Sequence, residues 1–167
     1  MNAQLYGQAM ELKAVTSLKD LEEVRVLLRE YAASLDFDLC FQGFEQELAD
    51  LPGKYAPPDG RLWLATCDAG PAGCVAIRKL DEGICEMKRL YVRPSLRGAG
   101  VGRLLASTAI AQARDMGYRL MRLDTAPSMT AAIALYRSLG FRQIAPYCHN
   151  PLPGALFLEL RLTGDEP

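Results

Sequence analysis

Arg97-Gly98-Ala99-Gly100-Val101-Gly102 is the segment of this chain whose residue types and spacing point most directly to a ligand. It falls between a β-type run ending at Pro94 and a helical pattern starting near Gly100, so it sets uncommitted backbone N–H groups around a helix N-terminus. Glycine admits positive φ and close approach, Arg97 adds charge, and the helix dipole contributes about 0.3–1 kcal/mol toward an anion. From Arg78 to Arg103 there are seven basic residues against three acidic ones, inside a chain of formal net charge −1. The chemistry implied is phosphate binding. A Walker loop is excluded because no Gly-Lys-Ser/Thr follows, and the third glycine of G-x-G-x-x-G would fall on Arg103. Taken alone, glycines at such a turn serve tight-turn geometry more often than a ligand, so the surrounding elements must decide.

Those elements follow from periodicity. Leu12 to Val15 reads as a short first strand, with order beginning near Met10 and no strong pattern from Met1 to Ala9. Ser17 followed by Asp20 makes a helix N-cap, and Leu21, Val24, Leu27, Leu28 and Tyr31 recur at helical spacing. A second helix is expected within Phe37 to Leu51, before the Pro52-Gly53 and Pro57-Pro58-Asp59-Gly60 turns. Arg61 to Asp68, Gly73 to Leu80 and Ile84 to Arg93 read as consecutive antiparallel strands, the first two separated by Ala69 to Ala72 and the third stopped by Pro94. Gly100 to Met116 is helical, with Gly117 as C-terminal cap; Tyr118 to Thr125 is a strand. Pro127-Ser128 opens a helix through Leu139, and Phe141 to Ile144 and Leu156 to Leu162 supply two late strands. The order is β-α-α-β-β-β-α-β-α-β-β: an α/β protein with a central mixed, mostly antiparallel sheet flanked by helices.

Set after Leu90-Tyr91-Val92-Arg93-Pro94, the spacing Arg97-x-x-Gly100-x-Gly102 resembles the acetyl-CoA signature R/Q-x-x-G-x-G/A of the GNAT superfamily of N-acetyltransferases. The resemblance covers roughly Leu62 to Phe141 and extends in element order to the whole chain. It implies that Arg97, Gly98, Ala99, Gly100, Val101 and Gly102 hold the coenzyme pyrophosphate. It also implies that the backbone of Leu90, Tyr91 and Val92 pairs with the pantetheine amides as an added strand. The expected activity is transfer of an acetyl group from acetyl-CoA to a primary amine of a small molecule or peptide, by direct attack in a ternary complex.

An alkylammonium with pKa near 10.4 is neutral only about once in a few thousand molecules at pH 7, equivalent to about 4–5 kcal/mol, so a base or a water relay must remove its proton. The family often places a glutamate on the strand leading to the loop, which singles out Glu86. On sequence alone Glu86 reads first as an ion-pair partner for neighbouring bases, Lys88 among them by period-two alternation, and it is the resemblance that brings the catalytic reading level with this one. Ala132 to Phe141 resembles the family's A-x-x-x-Y-x-x-x-G-F, in which the tyrosine protonates the departing thiolate; that role falls on Tyr136. The competing reading of Tyr136 is core, since Ala132, Leu135, Tyr136 and Leu139 form a helical stripe. Met129 stands where many relatives carry asparagine, which puts in doubt a side-chain contact to the coenzyme from that helix start. The acceptor is expected between Phe37 to Glu45 and Tyr147 to Pro151, with Asp38 or Glu45 meeting a cationic amine; Phe41 and Phe44 read as core anchors and His149 as a surface residue.

Composition bounds the alternatives. With 167 residues, half of them hydrophobic, one domain is expected. Near-neutral charge argues against nucleic-acid binding, and the lack of a long apolar run or a signal peptide argues against a membrane, so a cytoplasmic protein is expected. Five cysteines, with no C-x-x-C pair and one histidine, support neither a zinc site nor a disulfide framework, although Cys67 and Cys74 could face each other across a hairpin. No metal is expected. A homodimer through exposed helices or the last strand stays open. So do a non-catalytic acetyl-CoA sensor, which would keep the loop without needing Glu86 or Tyr136, and an α/β domain with no cofactor.

Overall fold

A computed structural model describes residues 2–5, 8–39 and 43–163. Strands β3 (Arg61–Cys67), β4 (Gly70–Asp81) and β5 (Ile84–Val92) form an antiparallel meander. Their alternating side chains feed two cores. Leu62, Leu64, Cys74, Ala76 and Tyr91 pack under α1 (Leu18–Ala33) and α2 (Phe44–Asp50), whereas Trp63, Ala65, Val75, Ile77, Cys85 and Met87 pack under α3 (Val101–Asp115) and α4 (Thr130–Ser138). Burial on both faces is why these strands read as nearly continuous apolar runs. Ala106, Ala109 and Ala113 are fully buried and let α3 lie close on the sheet.

The complete sheet has eight strands in the order β1-β2-β3-β4-β5-β6-β8-β7, adding β1 (Asn2–Leu5), β2 (Gln8–Ala14), β6 (Leu120–Thr125), β7 (Arg142–Ile144) and β8 (Leu156–Arg161). Every neighbouring pair is antiparallel except β5 with β6. The expected element order is therefore present, with one addition. Residues 2–5 form a strand against β2, which itself begins at Gln8 rather than Leu12. Edge pairing rests on main-chain hydrogen bonds and so leaves little trace in side-chain period.

Local chemistry sets the boundaries. Ser17 caps α1 by accepting from the Asp20 N–H at 3.1 Å, as its spacing implies. Helix α2 is shorter than expected because Gly43 is left-handed at φ +67°, so the helix starts at Phe44; Cys40, Phe41 and Gln42 lie outside the described residues. Strand β4 starts at Gly70, earlier than expected, with a bulge between Ala65 and Thr66 absorbing the register. Cys74 pairs in register with Leu64 and Cys67 with Gly70, so the two cysteines do not face each other, and Cys67, Cys74, Cys85 and Cys148 are free thiols. No helix among the described residues is long and apolar enough to cross a membrane.

Candidate active site

Strands β5 and β6 run parallel but pair only over Ile84–Glu86 with Leu120–Arg122; beyond that point no ladder joins them among the described residues. The divergence opens a cleft lined by Lys88, Leu90, Asp124, Met129, Tyr136 and Asn150, with Phe37 and Leu39 on its other side. A bulge in β5 shapes it. Arg89 is left-handed at φ +58° and the register with β4 shifts there, so residues facing the α3 core change from Cys85 and Met87 to Leu90 and Val92. A non-glycine residue held at positive φ costs on the order of 1–2 kcal/mol and needs compensation. Arg89 has it: Nε and Nη2 donate to the two Glu47 carboxylate oxygens at 2.7 and 2.9 Å, and the guanidinium lies 5.2 Å from the Phe44 ring centroid. On the opposite side, Gly73 leaves room for β5, because a Cβ there would stand 2.4 Å from the Tyr91 carbonyl oxygen.

Tyr136 enters the cleft from α4 and is 7% exposed, with its ring 5.7 Å from Phe141. Burial holds its phenol above the usual range, with a further contribution from the Asp124 charge. Its hydroxyl has no hydrogen-bond partner among the described residues. A buried polar group without a protein partner is uncommon, and this one lines the cleft. Across from it, Lys88 Nζ lies 3.1 Å from Asp124 Oδ1, and Asn150 Nδ2 donates to Asp124 Oδ2 at 2.8 Å. Burial works to raise the Asp124 carboxyl, but Lys88 and Asn150 outweigh it and hold it below the usual carboxylate value.

Glu86 sits behind the cleft, on the α1/α2 side of β5. It is 1% exposed; Arg78 Nε and Nη2 reach Oε2 at 2.7 and 2.6 Å, the Tyr147 hydroxyl donates to Oε1 at 2.8 Å, and Lys88 Nζ is 3.9 Å away. The alternation argument thus correctly sends Lys88 toward Glu86, but Arg78 is its main partner. Burial and the Glu86 charge push the Tyr147 phenol well above its usual range. Tyr147 and Asn150, in the segment expected to meet an acceptor, do reach this site, whereas Asp38, Glu45 and His149 are exposed. Asp124, Arg78 and the Arg89–Glu47 pair are not singled out by the sequence. One signal was available: period-two alternation puts Arg122 and Asp124 on one face of β6, beside Glu86 and Lys88 on β5.

At the other end of β5, a 3₁₀ turn at Pro94–Leu96 leads into the glycine loop. Gly98 and Gly100 are left-handed, at φ +77° and +84°, and Gly100 is the N-cap of α3 with no capping side chain, leaving the first-turn N–H groups open. Gly102 is different. Its backbone is helical, and a Cβ there would make only ordinary contacts, 3.6 Å from Leu135 and 3.7 Å from Val92. Nothing in the protein's own packing requires glycine at 102, whereas a group seated on the helix end would. Arg97 folds back so that Nε donates to the Val92 carbonyl at 3.1 Å. Leu90 to Val92 keep their β6-facing edge free of strand pairing among the described residues.

Comparison with known proteins bears on this geometry. The model of the acetyltransferase (GNAT) family matches residues 24–141. An uncharacterized N-acetyltransferase of Schizosaccharomyces pombe is 40% identical over 156 residues, covering 92% of this chain and 96% of that protein. Two solved structures share the fold. An acetyltransferase of the GNAT family from Staphylococcus aureus aligns with TM-score 0.74 at 19% identity, covering 92% of this chain and 99% of that one. The PaiA N-acetyltransferase of Thermoplasma acidophilum, in complex with coenzyme A, aligns with TM-score 0.70 at 16% identity, covering 91% and 98%. Splayed strands, an uncapped glycine loop and an end-to-end relative at 40% identity meet in one statement: this chain belongs to the acetyltransferase (GNAT) family.

Proposed function

We propose that this protein transfers an acetyl group from acetyl-CoA to a primary amine in the β5/β6 cleft, by direct attack with both substrates bound. The Tyr136 hydroxyl, which lines the cleft with no hydrogen-bond partner among the described residues, carries this reading, beside a helix α3 whose N-terminus has no capping side chain. The coenzyme-bound relative from Thermoplasma acidophilum supports the choice of donor. When bound, acetyl-CoA supplies an activated thioester. The loop and first-turn N–H groups from Gly98 to Gly102, with Arg97, would hold its pyrophosphate, and the edge of Leu90, Tyr91 and Val92 that no strand pairs would take its pantetheine amides.

Burial keeps Tyr136 protonated, which suits a hydrogen-bond donor to a developing thiolate better than a group that gives its proton away completely. Glu86 has no direct opening to the cleft, so we assign it the proton of the amine through a relay. The Tyr147 hydroxyl would accept that proton while passing its own to Glu86 Oε1, 2.8 Å away. Tyr136 and Glu86 thus act on opposite sides of the transfer.

Calorimetric titration with acetyl-CoA tests the site, using Gly102→Leu as the obstructing variant. Position 102 is helical and takes a Cβ at ordinary contact distance, so the variant is expected to fold, which its circular dichroism spectrum checks. Saturable binding by the native protein, weakened by about 100-fold or more in Gly102→Leu, is expected, because a side chain there displaces the phosphate from its donors. Absence of binding by the native protein would overturn the proposal. Unchanged binding by the variant would move the coenzyme away from this loop.

A further inference from the structure

The charged groups around the cleft are matched in pairs: Arg78 with Glu86, Lys88 with Asp124, Arg89 with Glu47, and Arg122 with Glu159. Of these pairs, Lys88 and Asp124 both line the cavity, and their side chains are 11% and 5% exposed. An acceptor entering as a bare cation would have to take Asp124 from Lys88, leaving Lys88 only Glu86, 3.9 Å away and already paired with Arg78, and so one positive charge in excess among nearly buried groups. That is an unfavourable exchange. An acceptor with a carboxylate beside its amine avoids it, because it presents the same two charges in complementary order. Lys88 and Asp124 then each trade one partner for another and the cleft stays neutral.

We propose that the acceptor is a free α-amino acid, its amine received by Asp124 and its carboxylate by Lys88. The inference rests on the acetyltransferase reading above and names the acceptor class for that site. Asn150 is a positioning residue here: it donates to Asp124 Oδ2 and leaves Oδ1, the oxygen 3.1 Å from Lys88, as the one that changes partner. Phe37, Leu39, Met129 and Leu152 offer an apolar wall for the amino acid's side chain. The product has a neutral amide where the ammonium was, so Asp124 loses its reason to hold it and the Lys88–Asp124 pair re-forms.

The test is steady-state kinetics of the full chain with acetyl-CoA and matched acceptors: the free amino acids, the amines obtained by removing their carboxylates, and their carboxamides. The amino acids are expected to show kcat/KM about 100-fold or more above their carboxylate-free counterparts, since a buried charge left unpaired discriminates strongly. Lys88→Met should bring that ratio to within about threefold of unity, and Lys88→Gln repeats the measurement where the methionine variant does not fold. Asp124→Asn should lower kcat/KM on both members of each pair. Acetyl-CoA titration of every variant separates acceptor effects from loss of the donor site. Equal turnover of amines and amino acids, an unchanged ratio in the Lys88 variants, or no acetylation of the panel by a protein that binds acetyl-CoA would each overturn the proposal. A native protein that does not bind acetyl-CoA overturns the underlying reading, and this one with it.

Discussion

Tyr136 combines two properties that a core tyrosine does not need together. It is buried well enough to raise its pKa, and its hydroxyl has no partner among the described residues. Deleting the oxygen should therefore separate stability from activity. In Tyr136→Phe the melting temperature is expected to stay level or rise, because an unsatisfied buried hydroxyl costs about 1–3 kcal/mol of desolvation. Acetyl-CoA affinity should stay within a few-fold, while kcat falls by about 10- to 100-fold with KM little changed, the pattern of an interaction made in the transition state. Steady-state kinetics beside thermal melts would check this. Unchanged kcat would return Tyr136 to the hydrophobic stripe in which its helical spacing also places it.

Among the elements, β5 is the one whose shape the sequence conceals. Its existence, its end at Pro94 and the helix that follows were legible because apolar period, proline and glycine each act locally. The bulge at Arg89 was not, because nothing in Lys88-Arg89-Leu90 announces a left-handed arginine; it is held by Glu47, 42 residues away on α2. The same blindness hid Asp124, whose partners come from β5 and from the β7–β8 connection. The Glu47–Arg89 clamp has a measurable pH signature. Burial acts to raise the Glu47 carboxyl, but bidentate pairing with Arg89 outweighs it and holds the group below its usual value. In the unfolded chain a glutamate titrates near 4.3, so between the folded and unfolded values the unfolded state binds more protons. The stabilisation is present above about pH 5 and disappears as pH falls through the folded value. Glu47→Gln is therefore expected to be less stable than wild type by about 3 kcal/mol at pH 7, with the gap closing toward pH 3. Urea unfolding of both proteins across that range reads the difference directly. A gap independent of pH would mean that the clamp works through packing on Phe44 rather than through charge.

Across the whole molecule, the sheet is divided by the cleft. On one side stand β1 to β5; on the other β6, β8 and β7. Among the described residues the ladder between them has the short Ile84–Glu86 to Leu120–Arg122 register, extended by the Arg119 N–H to the Gly83 carbonyl and supplemented by the Lys88–Asp124 pair and by Tyr147 reaching Glu86. A ligand that adds main-chain hydrogen bonds along Leu90 to Val92 and seats its phosphates on α3 would bind the folded sheet and not the unfolded chain, so its whole binding energy appears as stability. At a concentration 100 times its Kd that is about 2.7 kcal/mol, which for a chain of this size raises Tm by about 5–10 °C. Acetyl-CoA should produce this shift in the native protein and not in Gly102→Leu, although both start from similar melting temperatures. Amide exchange should show where the energy enters. Protection is expected to rise at Leu90, Tyr91 and Val92 and in the first turn of α3, and to change little at β1 and β2, which lie at the far edge of the sheet. Protection spread evenly over all eight strands would instead mean that the coenzyme tightens the molecule as a whole, and that the open seam between β5 and β6 is not where it inserts.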